Sequence, residues 1–288
     1  MDTSPFRVRS GHRLNLRHYD SAHTGSFKNK QKASGRLARG LERMIALQDK
    51  LYADNRWAVL LIFQAMDAAG KDSAIKHVTS GLNPQGTQVF AFKRPSDEEL
   101  DHDYLWRAVK ALPERGRIGI FNRSYYEEVL VVRVHPEVLA GERLPESLVT
   151  RHLWKERYED INAFERYLAR NGTLILKFFL HVSKEEQRRR LLERLDEPSK
   201  NWKFQLGDLG ERDRWDDYMH AYEQALSRTS TAHAPWFVVP ADHKWFTRLV
   251  ISELIVEALE GLDLAYPKVS KAHLNGLAEA RKRLGTEP

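Results

Sequence analysis

The chain has 288 residues, 42% of them hydrophobic and 30% charged, so it can bury a full core as one large domain, with room for an inserted lid. Zero cysteines exclude disulfides, thiolate metal sites and cysteine nucleophiles. The longest apolar run, Ala58 to Phe63, is too short to cross a bilayer, and Met1 to Pro5 has no apolar signal segment, so a soluble, cytoplasmic protein is expected. Lys and Arg number 46 against 40 Asp and Glu, a net charge of +6, which gives weight to a polyanionic partner such as nucleotide, polyphosphate or nucleic acid. No long basic block appears, because Arg188-Arg189-Arg190 is flanked by Glu185, Glu186 and Glu193.

Residues 1–30 lack periodicity and read as an irregular or loosely packed arm. From Gln31 to Ala53, Leu37, Leu41, Met44, Ile45, Leu47 and Leu51 recur at helical spacing. The apolar run that follows is a first strand. A second strand spans Gln88 to Phe92 after the turn Asn83-Pro84-Gln85-Gly86. Ser96 with Glu99 forms a capping box before one helix carrying Leu100, Tyr104, Leu105, Ala108 and Leu112. Ile118 to Phe121 is a third strand, helical stretches lie around Ser147 to Arg170, and Leu174 to Leu180 is a fourth strand. Ser183 with Glu186 caps a helix through Leu195, Trp236 to Val239 is a fifth strand, and Trp245 to Leu259 a closing helix. Residues 267–288 read as a polar, partly disordered tail. Strands that are continuous apolar runs and alternate with helices indicate a parallel sheet covered on both faces, a three-layer α/β/α domain over residues 31–266.

The first strand runs into Gln64-Ala65-Met66-Asp67-Ala68-Ala69-Gly70-Lys71-Asp72-Ser73, a tight small-residue turn ending in Gly-Lys and opening a helix. Backbone N–H groups of such a turn, the positive end of the helix and a lysine converge on one anion, which makes it a phosphate cradle of the P-loop type. It departs from G-x-x-x-x-G-K-[ST] in two places. Ala65 stands where the first glycine belongs, and Asp72 replaces the Ser/Thr that binds Mg²⁺, while Asp67 lies inside the loop as a candidate metal ligand. In an open parallel sheet, ligands bind beyond the carboxyl ends of the strands, so the segment after the third strand, Asn122-Arg123-Ser124-Tyr125-Tyr126-Glu127, should face this cradle. Arg123 is suited to clamp a transferring phosphoryl group, and Glu127 to support Mg²⁺ or orient an acceptor.

These two blocks resemble the polyphosphate kinase 2 family. Leu176-Lys177-Phe178-Phe179-Leu180-His181-Val182-Ser183-Lys184-Glu185-Glu186-Gln187, with Arg190-Leu191, Arg194-Leu195 and Trp202-Lys203-Phe204, resembles that family's lid region, and Ala234-Pro235-Trp236 with Val239-Pro240-Ala241-Asp242 its last strand, so the likeness runs from Phe6 to Pro267. The resemblance implies a thymidylate-kinase-like fold and Mg²⁺- or Mn²⁺-dependent transfer of a terminal phosphoryl group between inorganic polyphosphate and AMP, ADP or ATP. No nucleic-acid or membrane partner is expected, and the resemblance implies a homo-oligomer, dimer or tetramer. One cradle implies one catalytic module, and Asn122 with Glu127 looks like the class III members, which accept both AMP and ADP.

By the same resemblance Asp67, Lys71, Asp72 and Arg123 are the catalytic candidates, with Asp67 and Glu127 as metal ligands. Ala68, Ala69, Gly70, Lys71, Asn122, Glu127, Arg190 and Arg194 are expected on the nucleotide and its phosphates, Arg190 and Arg194 sharing one helical face as lid arginines of nucleotide kinases do. Lys76, Lys93, Arg94, Arg133 and Arg188 are candidates for a polyphosphate path, and residues 184–215 for a mobile lid, with Trp202 or Phe204 able to stack on a base. His77, His152 and His181 have no metal-ligand spacing and read as structural. Two other readings stay open on the residues: a nucleoside monophosphate kinase using ATP, whose weak point is Ala65 and Asp72 in the loop, and a basic nucleic-acid-binding protein, for which no recognition motif is present.

Overall fold

The computed structural model describes residues 1–286. Its centre is a five-stranded, all-parallel sheet in the order β2-β3-β1-β4-β5, with β1 at Ala58–Ala65, β2 at Thr87–Ala91, β3 at Ile118–Asn122, β4 at Thr173–His181 and β5 at Trp236–Pro240. Seven of the eight β1 residues are buried, as a strand covered on both faces requires. One face carries α1 (Lys30–Asp54), α2 (Lys71–Val78) and the long helix α6 (Lys244–Glu260); the other carries α3 (Leu153–Arg170) and α5 (Trp215–Thr229). Helix α6 is apolar on nearly all sides because it lies between the sheet and α1. Helix α4 (Lys184–Asp196) follows β4 at the carboxyl end of the sheet.

The expected strands and the flanking helices are present, with four differences. The arm is irregular but anchored: Phe6, Val8, Leu14 and Leu16 are buried, the Met1 ammonium pairs with Glu253 at 2.9 Å, and Arg7 bridges Phe237 antiparallel to β5. It covers the outer edge of β5, which isolated anchors accomplish without any sequence period. The Ser96/Glu99 capping box forms, but the helix stops at Leu100 and a separate one runs over Trp106–Lys110. Asp103 breaks it by accepting a hydrogen bond from the Leu105 N–H at 2.9 Å, the local competition with helix that short acidic side chains offer. The helical stretches expected around Ser147 to Arg170 are a short helical turn at Glu146–Leu148 and, after a break, the helix that begins at Leu153. Lys271–Leu284 is a helix, α7, where a polar and partly disordered tail was expected; Glu287 and Pro288 lie outside the described residues. Helix α5, for which no expectation was formed, fills the second face between α3 and the cleft. Among the described residues no helix is long and apolar enough to cross a membrane.

Candidate active site

Parallel pairing of β1 with β3, Phe63 opposite Asn122, delivers the loop after β1 and the turn after β3 to the same edge of the sheet. The loop solves its geometry differently from the motif it departs from. Ala65 is the last residue of β1 and pairs with Leu180, so it is extended and needs no glycine. The left-handed conformations fall on Ala68 (φ 60°) and Gly70 (φ 101°), and Gly70 is where α2 begins. Asp72 occupies the first turn of α2 and accepts a 2.8 Å hydrogen bond from Asn122 Nδ2, which ties the loop's helix to the end of β3.

Arg123 also holds a left-handed backbone (φ 64°), while its N–H continues the ladder to the Phe63 carbonyl at 3.1 Å. Such strain in a non-glycine residue persists only where the surroundings over-determine it. Its guanidinium lies between the two carboxylates, 3.1 Å from Asp67 Oδ1 and 3.7 Å from Glu127 Oε2. Gln64, buried at the end of β1, donates to Glu127 Oε1 at 2.7 Å and fixes that carboxylate. Gln187 on α4 donates to the Asp67 carbonyl at 3.0 Å. Burial lowers the pKa of the Lys71 ammonium and the positive charge of Arg123 adds to this, with Glu127, Asp67 and Asp72 opposing. The Lys71 ammonium makes no ion pair or hydrogen bond of its own among the described residues, so it is a charge that an incoming phosphate oxygen would complete.

Above this floor opens a cleft of about 940 Å³. Its wall includes Tyr218 and Tyr222 of α5, and its rim carries Lys93, Arg94, Arg194, Lys200, Lys203 and Lys244. The residues of the expected lid, a turn at Pro198–Lys203 and a helix at Gly207–Asp213, form one side.

A family model described as Polyphosphate kinase 2 (PPK2) matches residues 27–266. The chain is 52% identical over 283 residues to an "ADP-polyphosphate phosphotransferase" of Rhodopseudomonas palustris, covering 98% of each chain. It is 47% identical over 268 residues to an "AMP/ADP-polyphosphate phosphotransferase" of Meiothermus ruber, covering 93% of this chain and 96% of the relative. The crystal structure of Polyphosphate Kinase 2 from Arthrobacter aurescens TC1 superposes with a TM-score of 0.87 at 42% identity, covering 97% of both chains. The chain belongs to the polyphosphate kinase 2 family. It is therefore a phosphotransferase.

Of the residues expected there, Asp67, Ala68, Ala69, Gly70, Lys71, Asp72, Asn122, Arg123, Glu127, Lys93, Arg94, Arg190 and Arg194 line the cleft. Arg190, however, is 4% exposed and its donors are committed to the protein: Nη1 to the carbonyls of Ala68 and Ala69, Nη2 to those of Ala241 and Asp242, and Nε to Glu186. It shapes the phosphate loop from behind. Lys76 is exposed on α2, Arg188 pairs with Glu185, and Arg133 donates to the Tyr158 hydroxyl at 2.8 Å; none of the three lines the cleft. Sequence reasoning did not assign site roles to Gln64, Gln187 and Lys244. Gln64 had a legible signal, a lone polar residue in a buried strand, whereas Gln187 and Lys244 are placed by tertiary packing alone.

Among the described residues no three His, Asp or Glu side chains cluster as a metal cage. Mg²⁺ does not need one: it is commonly held by one or two carboxylates, with substrate phosphates and water completing an octahedron. Asp67 and Glu127, both reaching Arg123 at the cleft floor, fit that donor set.

Proposed function

We propose that this enzyme transfers a terminal phosphoryl group between inorganic polyphosphate and adenine nucleotides, phosphorylating both AMP and ADP. The observation that carries it is the convergence of Lys71, Arg123, Asp67 and Glu127 at the foot of one cleft whose rim holds six further cations. A long polyanion needs that spread of positive charge, and a nucleotide alone does not. Phosphoryl transfer asks the protein for in-line positioning and for compensation of charge on the moving group. Lys71 and Arg123 compensate; the loop N–H groups at the start of α2 hold the phosphates; Asp67 and Glu127 would hold Mg²⁺, which would supply further compensation of phosphate charge.

The names of the relatives from R. palustris and M. ruber support polyphosphate as donor, and the second supports AMP as an acceptor beside ADP. Asn122, bound to Asp72, and Glu127, held by Gln64, are the residues on which the dual-acceptor reading rests. The cysteine-free chain fits a cytoplasmic location, and a dimer or tetramer is the expected assembly, readable by light scattering.

Purified protein is incubated with Mg²⁺, long-chain polyphosphate and AMP, without ATP, and the nucleotides are separated over time. ADP followed by ATP is expected, and neither in Lys71→Ala or Asp67→Asn. Conversion of ADP but not AMP would remove AMP from the reading; phosphorylation only when ATP is supplied as donor would replace polyphosphate by ATP.

A further inference from the structure

Directly beneath the turn that presents Arg123 and Glu127 lies a charged network that the transfer chemistry does not use. Lys177, in the middle of β4, and Glu165, on α3, are both fully buried. Lys177 Nζ donates to Glu165 Oε2 at 2.6 Å, to the Tyr126 hydroxyl at 2.8 Å and to the Thr229 carbonyl at 2.8 Å, so all three of its protons are used. Glu165 Oε1 accepts from both tyrosine hydroxyls, Tyr125 at 2.9 Å and Tyr126 at 2.8 Å. Every member is satisfied, and such a network admits one arrangement.

It reaches the cleft floor through the short helical turn Tyr125–Val129, which Ser124 caps by accepting from the Tyr126 N–H at 3.1 Å. Tyr125 and Tyr126 lie, with Ser124, between Arg123 and Glu127, and their rings point down into the core, Tyr126 edge-on against Trp236 and Tyr125 against Phe164. The charge pair therefore grips the segment from below while Gln64 holds Glu127 from the side. A buried ion pair is weak as a source of stability, because well-packed apolar residues of the same volume do as well or better. What it supplies is a fixed position, and the left-handed backbone of Arg123 is the feature that needs one.

We propose that Lys177, Glu165, Tyr125 and Tyr126 are positioning residues, a buried ionic clamp that sets Arg123 and Glu127 at the cleft floor. This rests on the proposed roles of Arg123 and Glu127. Two variants test it: Tyr126→Phe, which keeps the ring and deletes one hydroxyl, and the apolar replacement Lys177→Met/Glu165→Leu/Tyr125→Phe/Tyr126→Phe. Ser230→Ala is the structural control, since Ser230 makes buried hydrogen bonds to Val8 and Trp236 in the same layer without touching the turn. Melting temperature, kcat, nucleotide KM and the half-saturating Mg²⁺ concentration are measured for each.

For both clamp variants kcat should fall about 10- to 100-fold and half-saturating Mg²⁺ should rise, with nucleotide KM within about twofold. The apolar replacement should show this at a melting temperature no lower than wild type. Ser230→Ala should lower the melting temperature and leave kcat and the Mg²⁺ dependence alone. Wild-type kcat and Mg²⁺ dependence in a folded clamp variant would overturn the proposal, as would losses that merely track melting temperature along one line with Ser230→Ala. If the apolar replacement does not fold, Tyr126→Phe decides on the same readouts. Were the wild type to use ATP and not polyphosphate, the same variants assayed with ATP would test the clamp while the donor assignment fell by itself.

Discussion

The floor and the rim of the cleft are built from the same residue types but held in opposite ways. On the floor, the charged groups around Lys71 have protein partners and a backbone reason for their place: Arg123 between Asp67 and Glu127, Glu127 on Gln64, and the loop itself on Arg190. On the rim the cations stand out in water. Lys93, Arg94 and Lys203 are exposed, Trp202 is 77% exposed with Lys203 over its ring, and Lys200 and Arg194 are paired only with neighbouring carboxylates of the lid segment. Preorganised charge lowers a barrier because it need not reorganise as the reaction proceeds, whereas exposed charge binds a polyanion through displaced counterions. The floor should therefore govern kcat, and the rim KM and its salt dependence.

Removing the floor's mobile charge is the largest perturbation. Lys71→Ala should lower kcat on the order of 10³-fold, with the melting temperature near wild type, measured by nucleotide separation under saturating polyphosphate. A rise in KM alone would assign Lys71 to binding and erase the distinction between floor and rim. Arg190→Met is the next in size. It strips partners from four carbonyls and leaves Glu186 short of one, so stability should fall by on the order of 3 kcal/mol and kcat by about 10-fold through loss of loop shape. Unchanged stability would mean that the loop shapes itself.

The same division explains what could be read from the sequence. The floor was legible because strand-turn-helix chemistry is local: Gly70, Lys71 and Asp67 fall within one loop, and Asn122, Arg123 and Glu127 within one strand end, so topology alone brings them together. Arg190 was identified but its job was not, since whether an arginine meets a ligand or four carbonyls depends on the path of Ala241 and Asp242, fifty residues on. Lys76, Arg133 and Arg188 show the converse limit. A cation count cannot tell which helix face turns to the cleft, and here two are solvated or paired and one is bound to Tyr158. The anchored arm escaped for want of any period, and the break at Asp103 because a single side-chain hydrogen bond outweighed an otherwise helical pattern.

Lys76 and Arg188 give the rim prediction its control. Lys93→Ala/Arg94→Ala should raise KM for polyphosphate about three- to tenfold, leave kcat within about twofold, and reduce the slope of log KM against log salt by about 1 to 2. Lys76→Ala and Arg188→Ala should change none of these. Equal effects in the two sets would show that the rim acts through diffuse charge and not through its position on the cleft.

The smallest effect concerns the underside of the floor, where Glu128 follows Glu127 on the same turn. Burial, with the charge of Glu142 added, pushes the Glu128 carboxyl up to about 8 from an ordinary value of 4.5, although Arg157 lies 3.6 Å away and opposes the shift. Between pH 4.5 and 8 the folded protein then retains a proton that the unfolded chain has released. Stability from this group is full below about 4.5 and is lost as pH rises toward 8. Melting temperature should fall across that window in the wild type, and Glu128→Gln, which keeps the neutral shape, should flatten the slope. Lys177, whose pKa burial lowers to about 8, acts in the other direction and in a separate window, since the unfolded lysine stays protonated up to 10.5 and stability rises with pH between the two. A Glu128→Gln profile parallel to wild type below pH 8 would mean that Arg157 holds the carboxylate ionised. The turn carrying Glu127 would then rest on a second buried charge pair beside Lys177 and Glu165, and the floor would be fixed by ions on both sides.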